Sequence, residues 1–291
     1  MGGLPAGVAA DVWPGTGALP ASASEVEVVV LPFLAAGDRL ADLRELPRLR
    51  LVQLLTAGAE AVLPYVPAGV TVCTARGAHT ASTAEWVVAV ILAQLRELPR
   101  FVLAQHAGRW ERRGTPTLAG STVLIVGYGS IGAGVEARLG GFEVTIDRIA
   151  RHSRPGVGGL DELADRLPGA DVVVLLVPLT AQTRGLVDAS FLRRMRDGAL
   201  LVNAARGPVV DTDALLAELR AGRLRAAIDV TDPEPLPAGH PLWTAPGLLL
   251  TPHVAGSTPL ARPRAYALAR RQLDRYLSGQ PLENVVHAGG Y

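Results

Sequence analysis

The pattern of apolar and polar positions divides the chain into two stretches in which strand-like and helix-like segments alternate. In the first stretch, short β-branched or leucine-rich runs predict strands at Val26–Leu31, Leu51–Leu55 and Val70–Cys73. Segments broken by Gly and Pro separate these runs, which indicates a small α/β unit. Apolar residues then recur at helical spacing from Ser82 to Gln105, which predicts a long helix that is kinked at Pro99.

The second stretch alternates more regularly and predicts a larger α/β unit. Its strand-like runs are apolar, which is typical of a parallel sheet covered by helices on both faces. Six such strands correspond to the doubly wound plan of a dinucleotide-binding domain. The predicted strands are Thr122–Val126, Glu143–Ile146, Asp171–Val177, Leu200–Asn203, Ala226–Val230 and Leu248–Thr251, and the predicted helices are Ile131–Leu139, Leu160–Leu167, Ala189–Arg196, Thr212–Ala221 and Leu260–Leu277.

A glycine-rich segment follows the first of these six strands and precedes a predicted helix. In this context the first Gly permits a tight turn, the second lets the backbone approach a pyrophosphate, and the third lets the helix pack on the strand. The N-terminus of the helix then faces the phosphate charge, so the segment predicts a dinucleotide site. The segment reads Gly127-Tyr128-Gly129-Ser130-Ile131-Gly132.

The end of the second predicted strand carries charges of both signs, which bear on the choice of dinucleotide. Asp147 lies 20 residues after Gly127, where an acidic residue binds the ribose 2′-hydroxyl of NAD. Arg148 follows at once and Arg151 comes soon after, and an arginine in this place accepts the 2′-phosphate of NADP. We interpret Arg154 as a solvated loop charge. The sequence therefore predicts NADPH, with Arg148 as the main determinant, Arg151 as the second, and NAD as the alternative.

Composition and charge exclude several other classes of function. Lys+Arg 28 and Asp+Glu 27 leave a net charge of +1, which gives no electrostatic reason to expect a nucleic acid or membrane partner. All 28 basic residues are Arg, which excludes a Schiff-base lysine and a P-loop. Cys73 is the only cysteine, so neither an internal disulfide nor a multi-thiolate zinc site can form, and no metal is expected. Because Met1–Pro20 lacks the features of a signal peptide, we expect a cytoplasmic protein.

Chemically useful side chains follow the fourth, fifth and sixth strands, and ligands of open α/β sheets bind at the carboxyl ends of strands. Reduction of a 2-keto acid needs a hydride, a proton for the carbonyl oxygen and a cation for the carboxylate. His253 can exchange the proton because imidazole titrates near neutrality, and Glu234 beside it would favour the imidazolium and fix its tautomer. Arg206 offers a planar fork for the carboxylate, and Asp229 can hold the nicotinamide carboxamide.

These residues resemble the motifs of the D-isomer-specific 2-hydroxyacid dehydrogenase family over nearly the whole chain. The resemblance implies that Arg206, Glu234 and His253 are the catalytic residues of an NAD(P)-dependent enzyme of the glyoxylate or hydroxypyruvate reductase type. Formate dehydrogenases of this superfamily have Gln where Glu234 stands, so formate is not expected. The matching motifs are Val126–Gly132, Val177–Thr180 with Thr183-Arg184-Gly185, Leu201-Val202-Asn203 through Arg206-Gly207 to Asp211, Asp229 through Glu234–Pro237, and Thr251-Pro252-His253 with Gly256.

The resemblance also implies two Rossmann-like domains and the remaining binding residues. A doubly wound parallel-sheet NAD(P)-binding domain, residues 89–256, is expected as an insertion into a smaller flavodoxin-like substrate domain, residues 1–88 and 257–291. A homodimer is expected, with Ser82–Trp110 at its interface. The substrate-binding residues are expected to be Ala57, Gly58, Ala78, Arg206 and His253, with His79 nearby. The cofactor-binding residues are expected to be Gly127, Tyr128, Gly129, Ser130, Ile131, Gly132, Asp147, Arg148, Arg151, Val177, Pro178, Thr183, Ala204, Ala205, Asp229, His253 and Gly256.

Two alternative functions stay open at this point. A 3-phosphoglycerate dehydrogenase-like enzyme needs extra cations for a phosphate, and Arg76 is the one candidate in the small domain. A non-catalytic NAD(H)-sensing protein, like the corepressors that share this fold, can retain the same catalytic residues. Turnover of NAD(P)H with a panel of 2-keto acids distinguishes the three.

Overall fold

The chain forms two compact units, the second of which is inserted into the first. Unit 1 comprises Met1–His79 and Thr258–Tyr291, and unit 2 comprises Thr80–Ser257. The computed structural model describes residues 4–5, 7–13, 18–33 and 37–286, with the backbone alone for residues 37–39. The two ends of the predicted substrate domain, residues 1–3 and 287–291, lie outside the described ranges. No helix within those ranges is both long enough and apolar enough to span a membrane.

The elements of the described ranges are numbered in chain order. The strands are β1 (Val28–Val30), β2 (Leu51–Gln53), β3 (Thr71–Cys73), β4 (Thr122–Val126), β5 (Thr145–Ile149), β6 (Val172–Leu175), β7 (Leu200–Asn203), β8 (Arg225–Ile228) and β9 (Leu248–Leu250). The α-helices are α1 (Thr80–Leu95), α2 (Leu98–His106), α3 (Ser130–Leu139), α4 (Leu163–Arg166), α5 (Ala189–Arg194), α6 (Thr212–Arg220) and α7 (Ala261–Leu277). Short 3₁₀ helices cover Ala21–Glu25, Gly37–Glu45, Leu63–Tyr65, Leu160–Glu162, Leu167–Gly169, Gly207–Val209 and Pro241–Thr244.

Unit 1 is built on a parallel sheet of β1, β2 and β3 in that order. Helix α7 runs antiparallel to these strands. Near its end the Tyr276 hydroxyl donates to Glu27 just before β1, at 3.0 Å, whereas Arg262 in its first turn lies over the ring of Phe33 just after β1. The first turn of α7 therefore lies at the same edge of unit 1 as the carboxyl ends of the strands.

Unit 2 is built on a six-stranded parallel sheet in the order β5-β4-β6-β7-β8-β9. The chain passes from β4 outward to β5 and then returns to the other side of β4 to form β6. Such a reversal opens a crevice at the carboxyl ends of the two strands, which is where doubly wound sheets bind their ligands. Strands β7, β8 and β9 follow side by side in chain order, so the segments after them emerge at one edge.

The sheet of unit 2 is buried on both faces, as its apolar strands predict. Along β4, Leu124 and Val126 belong to the core on one face, and Val123 and Ile125 belong to the core on the other. Side chains of α5 and α6 complete the first core, and side chains of α1 and α3 complete the second. The helices thereby hold the sheet rigidly beneath the loops at its carboxyl edge.

The long helix expected between the two stretches is interrupted, and it belongs to unit 2. Helix α1 lies wholly in unit 2, so the predicted division after residue 88 lies inside an unbroken helix. The helical path breaks at Glu97, whose φ of 51° is left-handed. Pro99 then stands in the first turn of α2, where its missing amide is tolerated. The kink predicted at Pro99 therefore lies two residues earlier, at Glu97.

Candidate functional site

The glycine-rich turn joins β4 to α3 at the crevice of unit 2. Gly127 has a left-handed φ of 102°, and a Cβ there would stand 2.6 Å from the carbonyl carbon of Leu176. A Cβ on Gly132 would stand 3.1 Å from a methyl group of Ile125, so the close packing of α3 on β4 requires Gly. Gly129 precedes α3, and no described side chain caps this helix. The turn therefore has the room and the uncapped helix N-terminus that a dinucleotide pyrophosphate requires.

Tyr128 of this turn belongs to a charged cluster with Glu136 of α3 and Arg148 of β5. Arg148 donates through Nε to Glu136 at 2.8 Å and through Nη2 to the other carboxylate oxygen, and the Tyr128 hydroxyl donates to Glu136 at 2.5 Å. Hydrogen bonding from Arg148 is the main cause that lowers the pKa of Glu136 to about 2. The hydrogen bond to Glu136 raises the pKa of Tyr128. Arg148 is therefore held by a carboxylate of its own unit.

Strand β5 continues to Ile149, beyond its predicted end, and this displaces the loop that follows it. Asp147 and Arg148 lie inside the strand, where neighbouring side chains point to opposite faces. The Asp147 carboxylate accepts hydrogen bonds from Arg166 at 3.0 and 3.2 Å. Both charges predicted to decide the cofactor thus have partners within unit 2. Arg151 is the second residue beyond the strand and the first charge of the loop.

Arg154 lies against the glycine-rich turn. Its Nη2 donates to the Tyr128 carbonyl at 2.7 Å, and its guanidinium carbon lies 5.7 Å from the centre of the Tyr128 ring. Backbone hydrogen bonds of 2.9 and 2.8 Å between Arg154 and Val157 fold the loop back on itself. Arg154 is exposed, as its interpretation as a solvated loop charge predicts, and it also contacts the turn at which a dinucleotide would bind.

Arg206 follows β7 in a turn that is fixed by its own unit. Asn203, which is 1% exposed, accepts the Ala205 amide at 3.0 Å and donates to the Arg206 carbonyl at 3.2 Å. Gly207 packs so closely on the segment after β8 that a Cβ would overlap the Thr231 carbonyl. These contacts fix the backbone of Arg206, whose side chain is half-buried at the carboxyl edge of the sheet.

Glu234 and His253 follow the adjacent strands β8 and β9, and their side chains meet. The Nδ1 atom of His253 lies 2.5 Å from Oε1 of Glu234. An ionised carboxylate only accepts hydrogen bonds, so this contact places the proton on Nδ1. Nε2 is then the ring nitrogen that remains to exchange a proton with a ligand. The structure thus brings two of the three predicted catalytic residues into contact and places Arg206 after the neighbouring strand, β7.

Asp229 holds the loop of His253 from beneath. It is 2% exposed, and its carboxylate accepts the Thr251 hydroxyl at 2.6 Å and the amides of Val254 and Ala255 at 2.8 Å each. The Asp229 carbonyl accepts the amide of His253 at 2.7 Å. These bonds hold His253 at a left-handed φ of 54°, a conformation that costs a non-glycine residue about 1–3 kcal/mol. The contact of Asp229 with a nicotinamide carboxamide stays a prediction.

The segment after β6 forms a closed loop beside the crevice. Thr183, which is 5% exposed, donates its hydroxyl hydrogen to the Pro178 carbonyl at 2.5 Å and accepts the amide of Thr180 at 2.8 Å. Its hydroxyl therefore holds the shape of the loop. The predicted cofactor residues Val177, Ala204 and Gly256 lie in the edge segments after β6, β7 and β9.

The turn of residues 55–59 follows β2 at the carboxyl edge of unit 1. The Thr56 carbonyl accepts the Ala75 amide at 2.8 Å, and the Gly58 carbonyl accepts the Thr56 hydroxyl at 2.8 Å. Within the described part of unit 1, the amides of Ala57 and Gly58 have no acceptor. A turn in which the carbonyls of Thr56 and Gly58 are occupied and consecutive amides are open is a concave site for an anion such as a carboxylate.

Two other residues of unit 1 are less available than the sequence indicates. Ala78, expected to bind substrate, is 5% exposed, and its amide donates to the Ala75 carbonyl at 3.0 Å. Arg76, considered as a cation for a phosphate, donates through Nε to Asn284 at 3.2 Å, and Asn284 donates to the Arg76 carbonyl at 3.0 Å. Little of Ala78 is open to a ligand, and the Arg76 side chain is held by its own unit.

Comparison with known proteins agrees with this geometry. The family model described as D-isomer specific 2-hydroxyacid dehydrogenase, NAD binding domain, matches residues 88–255. A glyoxylate reductase of Thermofilum pendens is 34% identical over 249 residues, which cover 80% of this chain and 74% of that protein. A D-isomer specific 2-hydroxyacid dehydrogenase of Xanthobacter autotrophicus, solved with NADPH and MES, has a TM-score of 0.83 and 33% identity over 94% of this chain and 88% of its own.

Further relatives extend the same picture. An NADPH-dependent glyoxylate/hydroxypyruvate reductase of Sinorhizobium meliloti, solved with NADP and sulfate, has a TM-score of 0.81 and 28% identity over 91% of this chain and 86% of its own. Proteins named D-3-phosphoglycerate dehydrogenase and formate dehydrogenase are also similar to this chain. The predicted resemblance and the two-domain α/β fold are confirmed. The chain belongs to the D-isomer specific 2-hydroxyacid dehydrogenase family of NAD(P)-dependent oxidoreductases.

Proposed function

We propose that this enzyme uses NADPH to reduce small 2-keto acids of the glyoxylate and hydroxypyruvate type to 2-hydroxy acids. The observation that carries the proposal is the contact of 2.5 Å between His253 Nδ1 and Glu234 Oε1, which leaves Nε2 as a positioned proton donor. Relatives named glyoxylate reductase, and a glyoxylate/hydroxypyruvate reductase solved with NADP, support the substrate class and the cofactor.

The chemistry assigns one task to each side chain at this edge of unit 2. Bound NADPH supplies the hydride that reaches the carbonyl carbon. His253 delivers a proton from Nε2 to the carbonyl oxygen, so the product is a neutral alcohol and the imidazole is left deprotonated. Glu234 accepts the hydrogen bond from Nδ1 and so fixes the ring with Nε2 available to the substrate. Arg206 presents its planar fork to the substrate carboxylate and carbonyl oxygen.

Unit 1 contributes amides from the turn of residues 55–59. The N–H groups of Ala57 and Gly58 bind the substrate carboxylate, because they have no acceptor within the described part of unit 1 and the carbonyls of Thr56 and Gly58 are held by other donors. On this basis we assign unit 1 to the substrate and unit 2 to NADPH. The pyrophosphate of NADPH takes the turn of Gly127–Gly132 and the N-terminus of α3.

The preference for NADPH rests on the loop after β5. Arg148 is paired with Glu136 inside the strand, so it is replaced as the main determinant by Arg151 and Arg154, which follow the strand. Arg154 already contacts the glycine-rich turn through the Tyr128 carbonyl, at 2.7 Å. Two guanidinium groups beyond the strand provide the charge-assisted hydrogen bonds that a 2′-phosphate requires.

A homodimer accounts for an apolar patch on unit 2 around α2. Four large apolar side chains there are exposed: Leu98 at 50%, Val102 at 61%, Leu103 at 68% and Trp110 at 97%. Several exposed apolar side chains on and just after one helix are typical of an association surface. The patch lies within the predicted interface segment, Ser82–Trp110. A cytoplasmic location, expected from the sequence, completes the proposal.

The test is steady-state oxidation of NADPH and NADH by the purified protein with a panel of acids. Glyoxylate and hydroxypyruvate should be reduced with NADPH preferred, and the products should be glycolate and glycerate. Preferential reduction of 3-phosphohydroxypyruvate would instead favour a phosphoglycerate dehydrogenase-like enzyme. Tight cofactor binding without turnover of any 2-keto acid would favour the cofactor-sensing alternative.

A further inference from the structure

One histidine of unit 1 contacts the turn proposed to bind the substrate carboxylate. The Nε2 atom of His79 lies 2.9 Å from the carbonyl oxygen of Leu55, at the start of the turn of residues 55–59. A carbonyl oxygen only accepts hydrogen bonds, so the proton of this bond belongs to Nε2. His79 is half-buried, whereas Leu55 is 2% exposed. The bond therefore joins a fixed ring to a buried point of the backbone.

The direction of this bond matters because the carbonyl and the amide of one trans peptide unit lie in the same plane and point in opposite directions. The carbonyl of Leu55 belongs to the same peptide unit as the amide of Thr56. Fixing that carbonyl toward His79 therefore sets the orientation of the turn's first peptide plane. The carbonyls of Thr56 and Gly58 are fixed by other donors, the Ala75 amide and the Thr56 hydroxyl. His79 supplies a side-chain donor to the turn from another segment of unit 1.

The ring of His79 is itself held in place. The ring of Phe33 meets it edge to face, with centroids 5.8 Å apart and planes at 85°. On Phe33 lies the guanidinium of Arg262, whose central carbon is 5.9 Å from the ring centre. Aromatic pairs of this geometry are favourable beyond their buried area, and the cation adds to the attraction. Segments after β1, after β3 and at the start of α7 thus combine to orient one imidazole.

We propose that His79 is a positioning residue for substrate binding. It fixes the first peptide plane of the turn of residues 55–59, whose following amides are proposed to bind the substrate carboxylate. The proposal rests on the proposed function of this turn. It assigns to His79 an effect on carboxylate affinity alone, because the proton and hydride are handled by other residues.

The experiment compares two substitutions of His79 that separate the effect of its hydrogen-bond donor from that of its ring. His79→Phe retains a ring to pack against Phe33 and removes the donor, and His79→Gln retains a donor without the ring. His79→Phe should raise KM for glyoxylate by about two- to tenfold, the usual worth of one neutral hydrogen bond. Its kcat and its KM for NADPH should be unchanged. His79→Gln should have a KM for glyoxylate close to that of the wild type. Thermal melting should show that both variants are folded.

Other results would overturn the proposal. An unchanged KM in His79→Phe, or an equal change in both variants, would show that the donor has no role in positioning the turn. If the wild type reduces no 2-keto acid, the proposed function fails, and titration with oxalate then decides the role of His79 separately. Weaker oxalate binding by His79→Phe than by the wild type and His79→Gln supports positioning. Equal binding, or no binding by the wild type, refutes it.

Discussion

The choice of cofactor provides the sharpest test of the interpretation of unit 2. Arg154→Ala removes a guanidinium that lies against the glycine-rich turn, and Arg148→Met combined with Glu136→Gln removes the half-buried ion pair beside it. Only the first change should reduce discrimination for NADPH over NADH. The double substitution is the matched control, because it deletes an arginine of the same region without leaving the Glu136 carboxylate unpaired.

The magnitude follows from the bonds that each arginine makes. A hydrogen bond to a charged group contributes about 1.5–3 kcal/mol, which corresponds to roughly 10- to 150-fold in kcat/KM for NADPH. Arg154 also donates to the Tyr128 carbonyl at 2.7 Å, and loss of that bond affects both cofactors alike. The ratio of kcat/KM for NADPH to that for NADH therefore isolates the contribution of the 2′-phosphate. Arg151→Ala should lower the same ratio.

Initial rates of glyoxylate reduction with each cofactor, for the wild type and the three variants, provide the measurement. The ratio should fall by at least about tenfold in Arg154→Ala and should be little changed in the double variant. The opposite pattern would refute the reasoning: if removing Arg148 and Glu136 abolishes the preference while Arg151 and Arg154 are dispensable, the strand residue reads the cofactor. A wild-type preference for NADH would refute it as well.

Three further predictions concern the catalytic edge and the cluster under the turn. His253→Ala should lower kcat by about 10²- to 10⁴-fold with unchanged NADPH affinity, as measured by steady-state kinetics and cofactor titration; a wild-type kcat would remove His253 from the mechanism. Arg206→Lys should raise KM for glyoxylate strongly, because a point charge cannot replace a bidentate fork, and an unchanged KM would contradict this role. The pKa of Glu136 is lowered from 4.5 to about 2, chiefly by Arg148, so its pairing stabilises the fold above pH 4.5 and is lost toward pH 2. Urea unfolding should show the wild type losing its advantage over Glu136→Gln across that interval, and a pH-independent difference would count against the pairing.

Much of the fold can be predicted from the sequence because the sheet of unit 2 is buried on both faces. The apolar runs of β4 and β7 coincide with the predicted strands Thr122–Val126 and Leu200–Asn203. The end of β5 could not be predicted in this way. Asp147 and Arg148 have the polarity of a loop, but they remain in the strand because partners on α3 and α4 neutralise them. The position at which β5 ends therefore depends on tertiary contacts, which the pattern of apolar and polar residues does not contain.

The segment before β5 shows a second limit of the sequence pattern. The predicted strand begins at Glu143, but Glu143 has a left-handed φ of 57°, and the strand begins at Thr145. The contact of Arg154 with the glycine-rich turn could not be predicted from the pattern for a related reason. The side chain reaches this turn because its loop folds back on itself. Alternation of side chains along β5 does provide one usable signal, because Asp147 and Arg148 cannot both face the same ligand.

Several polar residues follow β7, β8 and β9 at the carboxyl edge of unit 2. Their burial distinguishes the side chains that are proposed to act on a ligand from those that hold the backbone. Asn203 and Asp229 are 1% and 2% exposed. Their side chains form hydrogen bonds with the backbone of the turns that contain Arg206 and His253. The side chains of Glu234 and His253 are 41% and 46% exposed, so they remain accessible to substrate. An enzyme that stores about 1–3 kcal/mol of backbone strain at His253 needs a buried acceptor such as Asp229 to retain it. At this edge the buried polar side chains therefore hold the backbone, and we expect the more accessible ones, Arg206, Glu234 and His253, to act on the substrate.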